Sequence, residues 1–140
     1  MLGETKNIKD VWEISWKSSI ILFLISLPLV GIAWFIIPFA INQFFPEYSD
    51  GIVAAQIACI TGAVASSATG WMGMQSIKAF KAMFIIGFFI MIIGYGFSWA
   101  LSSLMDPLLG VSLGKLATYI LFIISSLLTV RFIANKKYLP

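Results

Sequence analysis

AAQIACITGAVASSATGWMG, Ala54 to Gly73, is the stretch that decides the fold class of this chain. It lies within a run without charged residues that extends from Gly51 to Ile77. A helix needs about 20 apolar residues to cross roughly 30 Å of hydrocarbon, and this run is long enough. Helices that face lipid usually carry bulky side chains, whereas this stretch has few. It therefore predicts a membrane-spanning helix that lies close to its neighbours.

The rest of the chain has the same character. Of its 140 residues, 60% are hydrophobic and 11% are charged, far from the average balance of a soluble domain. Charged residues are also absent from Ser18 to Pro46, from Ala82 to Met105 and from Leu116 to Val130. We predict an all-α integral membrane protein: a single domain, 1–140, built as a bundle of four transmembrane helices with short loops. The predicted spans are 19–42, 51–73, 82–104 and 109–132.

The charged residues between the spans predict the orientation. Eight basic residues fall in the N-terminal arm, the second loop, the end of the fourth span and the tail at 133–140. They are Lys6, Lys9, Lys17, Lys78, Lys81, Arg131, Lys136 and Lys137. The first and third loops hold Glu47, Asp50 and Asp106. Basic residues mark the cytoplasmic side, so both termini are expected there. The net charge of +3 then reflects membrane orientation, and we expect no binding of nucleic acid.

The N-terminal arm, 1–18, shows a helical pattern of its own. Ile8, Val11, Trp12 and Trp16 fall on one face of a helix, and charged residues fall on the opposite face. This pattern is typical of an amphipathic helix lying in the membrane interface. A docking helix for a cytoplasmic partner is the alternative.

Small residues recur at every fourth position of the second span. We call them the small face, and they are Ala54, Ala58, Gly62, Ser66 and Gly70. Small residues at this spacing let helix backbones approach closely within a membrane. The pattern predicts a central helix. The small face could pack within the chain, form a contact with another subunit, or border a water-lined path.

Polar residues of the third and fourth spans form a second candidate site. Tyr95, Ser98 and Ser102 share one face that leads to Asp106, and Lys115 shares a face with Thr118. We expect these faces to meet as a polar seam, which is either structural or a gate.

Two polar side chains within the spans allow alternative interpretations. An ionisable residue inside a span indicates a functional site, so Lys115 is the first candidate, with Asp106, Asp50 or Glu47 as its partner. Alternatively, Lys115 extends to the headgroups on its long side chain. Gln56 is expected to make an interhelical hydrogen bond, and binding of a solute is the alternative.

Residue types that enzymes need are scarce. The sequence contains no histidine and a single cysteine, Cys59, which argues against a metal cluster. No acidic residue falls inside a predicted span, and no phosphate-binding glycine loop is present. We therefore expect no enzyme activity and no cofactor.

Three functional hypotheses remain. The first is a non-catalytic multipass membrane protein that acts through helix–helix contacts, as an accessory or assembly subunit or as an immunity or exclusion protein. The second is a small oligomeric channel or transporter for a small solute, with Lys115 and Asp106 at its outer mouth. The third is a membrane-perturbing protein such as a holin. The expected partners are the lipid bilayer and further copies of the chain or other membrane subunits, in a bacterial inner membrane by default.

Overall fold

The computed structural model describes residues 8–136, which form helices joined by short turns and contain no strand. Lys6, Lys137 and the rest of the two termini lie outside the described residues. A 3₁₀ segment, Pro46–Gly51, follows the first of the five α-helices. The helices are α1 Ile8–Phe44, α2 Ile52–Ser66, α3 Thr69–Ser76, α4 Phe80–Leu104 and α5 Pro107–Lys136.

Four helical segments are long and apolar enough to cross a membrane. They are α1, α4, α5 and the segment that extends from the 3₁₀ helix to the end of α3. This confirms the all-helical class and the number of candidate spans. The N-terminal arm is not a separate helix, because nothing between Lys17 and Ile20 interrupts α1. At 1.5 Å per residue the 37 residues of α1 extend about 55 Å, more than a bilayer core requires.

The central helix of the fold is α5. It contacts α1, α2, α3 and α4, whereas α2 has its main contacts with α1 and α5. The sequence predicted a central second span, and its two helices, α2 and α3, together also contact α1, α4 and α5. The role of α5 was not anticipated. The most extensive contact joins α4 to α5, and α4 otherwise contacts only α3 to any extent. The outer face of α1 is left open to the surroundings, as is that of α4.

The second span is broken, although the sequence predicted one continuous helix over 51–73. The hydroxyls of Ser66 and Ser67 donate to the carbonyls of Ala63 and Val64, each at 2.7 Å. Such bonds compete with the backbone N–H groups of the helix. The Ser67 N–H shifts to a 3₁₀-type bond with the Val64 carbonyl, and Ala68 leaves helical geometry with ψ of 44°. The chain then restarts as α3.

Glycines allow α4 and α5 to pack backbone to backbone. We call this antiparallel contact the glycine seam. Its pairs recur every four residues: Gly94 with Thr118, Ser98 with Gly114, and Ser102 with Gly110. A Cβ on Gly114 would lie 2.6 Å from the Ser98 Cα atom, and a Cβ on Gly94 would lie 2.6 Å from the Thr118 methyl carbon. The helices approach this closely because these positions have no side chain.

One end of the molecule is held by a compact apolar cluster of Val11, Met74, Met83 and Val130. Val11 is buried there, so the arm packs on the helices through part of its predicted apolar face, while Trp16 stays exposed. Trp12 packs on the cluster, and the Arg131 guanidinium lies 5.9 Å from the centre of its ring. This end therefore includes the arm, the α3–α4 turn and the C-terminal part of α5.

The turn between α3 and α4 belongs to the same end. Lys78 adopts a left-handed conformation, with φ of 55°. The Ala79 N–H donates to the Met74 carbonyl at 2.9 Å, and the Lys78 N–H donates to the Gln75 carbonyl at 3.0 Å. This pair of bonds is the Schellman arrangement, which satisfies the last carbonyls of a helix and usually places glycine at the left-handed position.

Candidate functional site

A groove of about 650 Å³ runs along the contact between α4 and α5. We call it the α4–α5 groove. It brings together five of the polar residues singled out in the sequence, namely Tyr95, Ser98, Ser102, Lys115 and Thr118. The remaining lining residues are Met91, Gly94, Trp99, Val111 and Tyr119. The predicted meeting of the two polar faces therefore has a geometric counterpart, formed around the glycine seam.

Asp106 is not among the residues that line this groove. Its carboxylate accepts hydrogen bonds from the N–H groups of Leu108, at 2.9 Å, and Leu109, at 3.2 Å. This is the geometry of an N-cap, which satisfies the free donors at the start of a helix. Asp106 thus organises the beginning of α5, and the predicted pairing with Lys115 is not formed. Among the side chains that the structure describes, those of residues 10–135, one ion pair occurs, between Lys17 and Glu13.

Hydroxyl groups in the α4–α5 groove bond mainly along their own helices. Thr118 donates to the Gly114 carbonyl at 2.6 Å, and Ser102 donates to the Trp99 carbonyl at 2.9 Å. Such bonds satisfy a hydroxyl in an apolar environment without linking the two helices. The close approach of α4 and α5 is therefore explained by glycine packing, and Lys115 is the charged group that lines the groove.

The small face of the second span is divided by the break. Ala54 is buried, but Ala58, Gly62 and Ser66 are exposed along α2. Gly70 belongs to α3 and packs on α5, where an added Cβ would lie 2.9 Å from the Leu127 nitrogen. The five positions thus do not form one continuous packing surface. Apart from the adjoining backbone of its own helix, Gly62 has no atom within 4 Å of the place where a Cβ would stand.

The exposed part of the small face borders a second groove, between α1 and α2. We call it the α1–α2 groove, and its volume is about 320 Å³. It is lined by Ser26, Leu29, Val30, Ala33, Cys59, Gly62, Ala63 and Ser66. Most of these side chains are small, so two helix backbones lie near the surface here.

Gln56 is buried and donates from its Nε2 atom to the Trp34 carbonyl of α1, at 3.0 Å. In a regular helix the N–H four residues later would bond to that carbonyl, but position 38 is a proline and has no N–H. Gln56 therefore supplies the donor that Pro38 lacks. The structure shows an interhelical hydrogen bond of the kind expected for this residue, and the proline explains why α1 needs it.

A buried hydroxyl cluster that was not predicted from the sequence lies beside the break in the second span. The Ser19 hydroxyl lies 2.6 Å from both the Ser67 carbonyl and the Thr69 hydroxyl. Thr69 donates to the Ser15 carbonyl at 2.7 Å, while the buried Ser15 hydroxyl has no hydrogen-bond partner. The serine pair at 66–67 followed by Thr69 could have indicated this cluster, because hydroxyl side chains that bond to nearby carbonyls favour breaks in helices. The cluster ties the break to α1.

Within the part of the chain that the structure describes, no group of His, Cys, Asp or Glu side chains could hold a metal ion. Cys59 is half-buried and not in a disulfide. Comparisons with protein-family models, with curated proteins and with solved structures find no match for this chain.

Proposed function

We propose that this protein is a non-catalytic multipass membrane protein that acts through helix–helix contacts. Its role would be that of an accessory or assembly subunit of a membrane complex, or of an immunity or exclusion protein. The α1–α2 groove is the proposed contact surface, and a transmembrane helix of a partner subunit is its proposed occupant. Small residues at such surfaces let a second backbone approach closely enough for dispersion and weak hydrogen bonds to hold it.

The observation that supports this proposal is a contrast between glycines. Gly94, Gly110 and Gly114 are used within the chain, because an added Cβ at each would collide with the facing helix. Gly62 has open space at the same position, although it lies among small residues of α2. Its small size is not needed for packing inside one copy of the chain, so we assign it to a contact between subunits.

We further propose that both termini are cytoplasmic. The apolar cluster at one end brings the N-terminal arm, the α3–α4 turn and the end of α5 together, and these segments hold Lys17, Lys78 and Arg131. The opposite end holds the 3₁₀ segment with Glu47 and the start of α5, since Gly51 lies beside Leu108. This separation of charge follows the positive-inside pattern.

Native mass spectrometry of protein extracted gently from its own membrane tests the proposal. Gly62→Leu would fill the α1–α2 groove, and we expect it to abolish association without unfolding the monomer. Gly31→Leu is the matched control, because Gly31 also has no atom within 4 Å of an added Cβ and lies outside the groove lining. A purely monomeric wild type, or a Gly62→Leu variant that assembles as Gly31→Leu does, would refute the proposal.

A second candidate is a small oligomeric channel or transporter for a small solute. The α4–α5 groove favours it, because five polar residues that the sequence singled out meet there. Asp106 caps α5, so the gate of this alternative would rest on Lys115 alone. Flux through liposomes that depends on Lys115, and is lost in Lys115→Ala at normal protein level, would favour this candidate over the first.

A further inference from the structure

We propose that the α4–α5 groove binds an anionic phospholipid, with its phosphate at Lys115 and an acyl chain along the apolar walls. The groove lies on a different pair of helices from the proposed partner surface. The inference therefore does not depend on the α1–α2 contact.

Lys115 is exposed on α5 and pairs with no acidic side chain among residues 10–135. It stands eight residues after Pro107, the first residue of α5, which places it about 12 Å along the helix. A cation within a membrane helix requires a counter-charge or access to the headgroups. The acid next to the start of α5, Asp106, has its carboxylate bound to two backbone N–H groups, and the one ion pair among the described residues lies elsewhere.

The groove around Lys115 has the chemistry of a lipid site. Trp99 and Tyr95 are highly exposed at its edges, with 75% and 80% of their surfaces accessible, and such residues favour the headgroup level of a bilayer. Met91 and Val111 add apolar surface for an acyl chain. The volume of about 650 Å³ falls within the range of ligand sites.

Charge at this end of the molecule favours a lipid over a soluble anion. Glu47 and Asp50 are exposed in the 3₁₀ segment beside the start of α5, so an anion that approaches from water meets negative charge. A phospholipid arrives sideways, through the bilayer, along the exposed faces of α4 and α5. The groove therefore selects an anion that is already part of the membrane.

The test is native mass spectrometry of the full chain from micelles containing equal amounts of phosphatidylglycerol and phosphatidylcholine. We expect the wild type to retain phosphatidylglycerol preferentially, and Lys115→Gln to reduce this preference about fivefold, the effect of one lysine near an anionic surface. Lys115→Arg should keep the preference. Lys81→Gln is the matched control, because it removes one exposed positive charge at the start of α4, outside the groove lining.

Two further measurements distinguish binding of the lipid in the groove from its attraction to a single positive charge. Tyr95→Ala leaves Lys115 intact but removes part of the wall, and we expect weaker retention of phosphatidylglycerol. Glycerol 3-phosphate in large excess should not displace the lipid, since it has no acyl chain. The proposal is overturned if Lys115→Gln binds as the wild type does, if Lys81→Gln loses as much, if Tyr95→Ala has no effect, or if glycerol 3-phosphate displaces the lipid.

Discussion

Gly114→Ala should destabilise the contact between α4 and α5. The added Cβ would lie 2.6 Å from the Ser98 Cα atom and 2.9 Å from its Cβ atom. Carbon atoms prefer about 3.5–4.0 Å, so the helices would have to separate by about 1 Å. A backbone atom cannot rotate away as a side chain can. Overpacking of this kind typically costs about 1–3 kcal/mol.

Part of that cost is offset, because alanine stabilises a helix relative to glycine by up to about 1 kcal/mol. With the full offset, the net expected loss in the free energy of unfolding is up to about 2 kcal/mol. Gly96→Ala is the matched control: it makes the same chemical change in α4, yet no atom lies within 4 Å of its added Cβ. The difference between the two variants isolates the overpacking from the helix propensity.

The assay is reversible unfolding in mixed detergent–lipid micelles by titration with a denaturing detergent, followed by the fluorescence of the five tryptophans. Gly114→Ala should shift the midpoint toward less denaturant, whereas Gly96→Ala should leave it unchanged or raise it. If Gly114→Ala proved as stable as Gly96→Ala, the backbone-to-backbone packing described for α4 and α5 would be incorrect.

Two further predictions concern backbone groups. Gln56→Leu leaves the Trp34 carbonyl without its donor and should cost about 1–3 kcal/mol of unfolding free energy. In a Pro38→Ala background this cost should be smaller, because alanine restores the missing N–H. Equal costs in both backgrounds would contradict the assigned role of Gln56. Lys78→Gly should stabilise the protein by about 1 kcal/mol, since glycine adopts the left-handed conformation without the steric cost of a side chain. The same unfolding titration measures it, and a destabilised variant would contradict the observed turn.

The class of fold was predictable from the sequence, and so was much of the second candidate site. Long runs without charge predict spanning helices whatever their partners, because the rise per residue of a helix and the thickness of a bilayer together fix the number of residues needed. Helical periodicity put Tyr95, Ser98 and Ser102 on one face and Lys115 with Thr118 on another. The structure joins these residues in one groove.

Periodicity could not show which small residues pack inside the chain. The regular spacing from Ala54 to Gly70 predicted one surface, but hydroxyls at 66 and 67 bond to nearby carbonyls and interrupt the helix. That outcome depends on a balance between backbone and side-chain donors, which α1 influences through Ser19 at the break. The pairing of α4 with α5 was expected from their polar faces, but its glycine packing was hidden, since the spacing of Gly110 and Gly114 does not identify the residues that they face.

The sequence by itself determined that the chain is helical, that four segments can span a membrane and that opposite charges are separated along it. These properties follow from the hydrophobicity and spacing of residues within each segment. Only the tertiary structure decided that α5 is central, that Gln56 compensates for Pro38 and that Gly62 is left without a neighbour. Such features depend on which backbones approach each other, and a helix with small residues at regular intervals can satisfy that requirement with more than one partner.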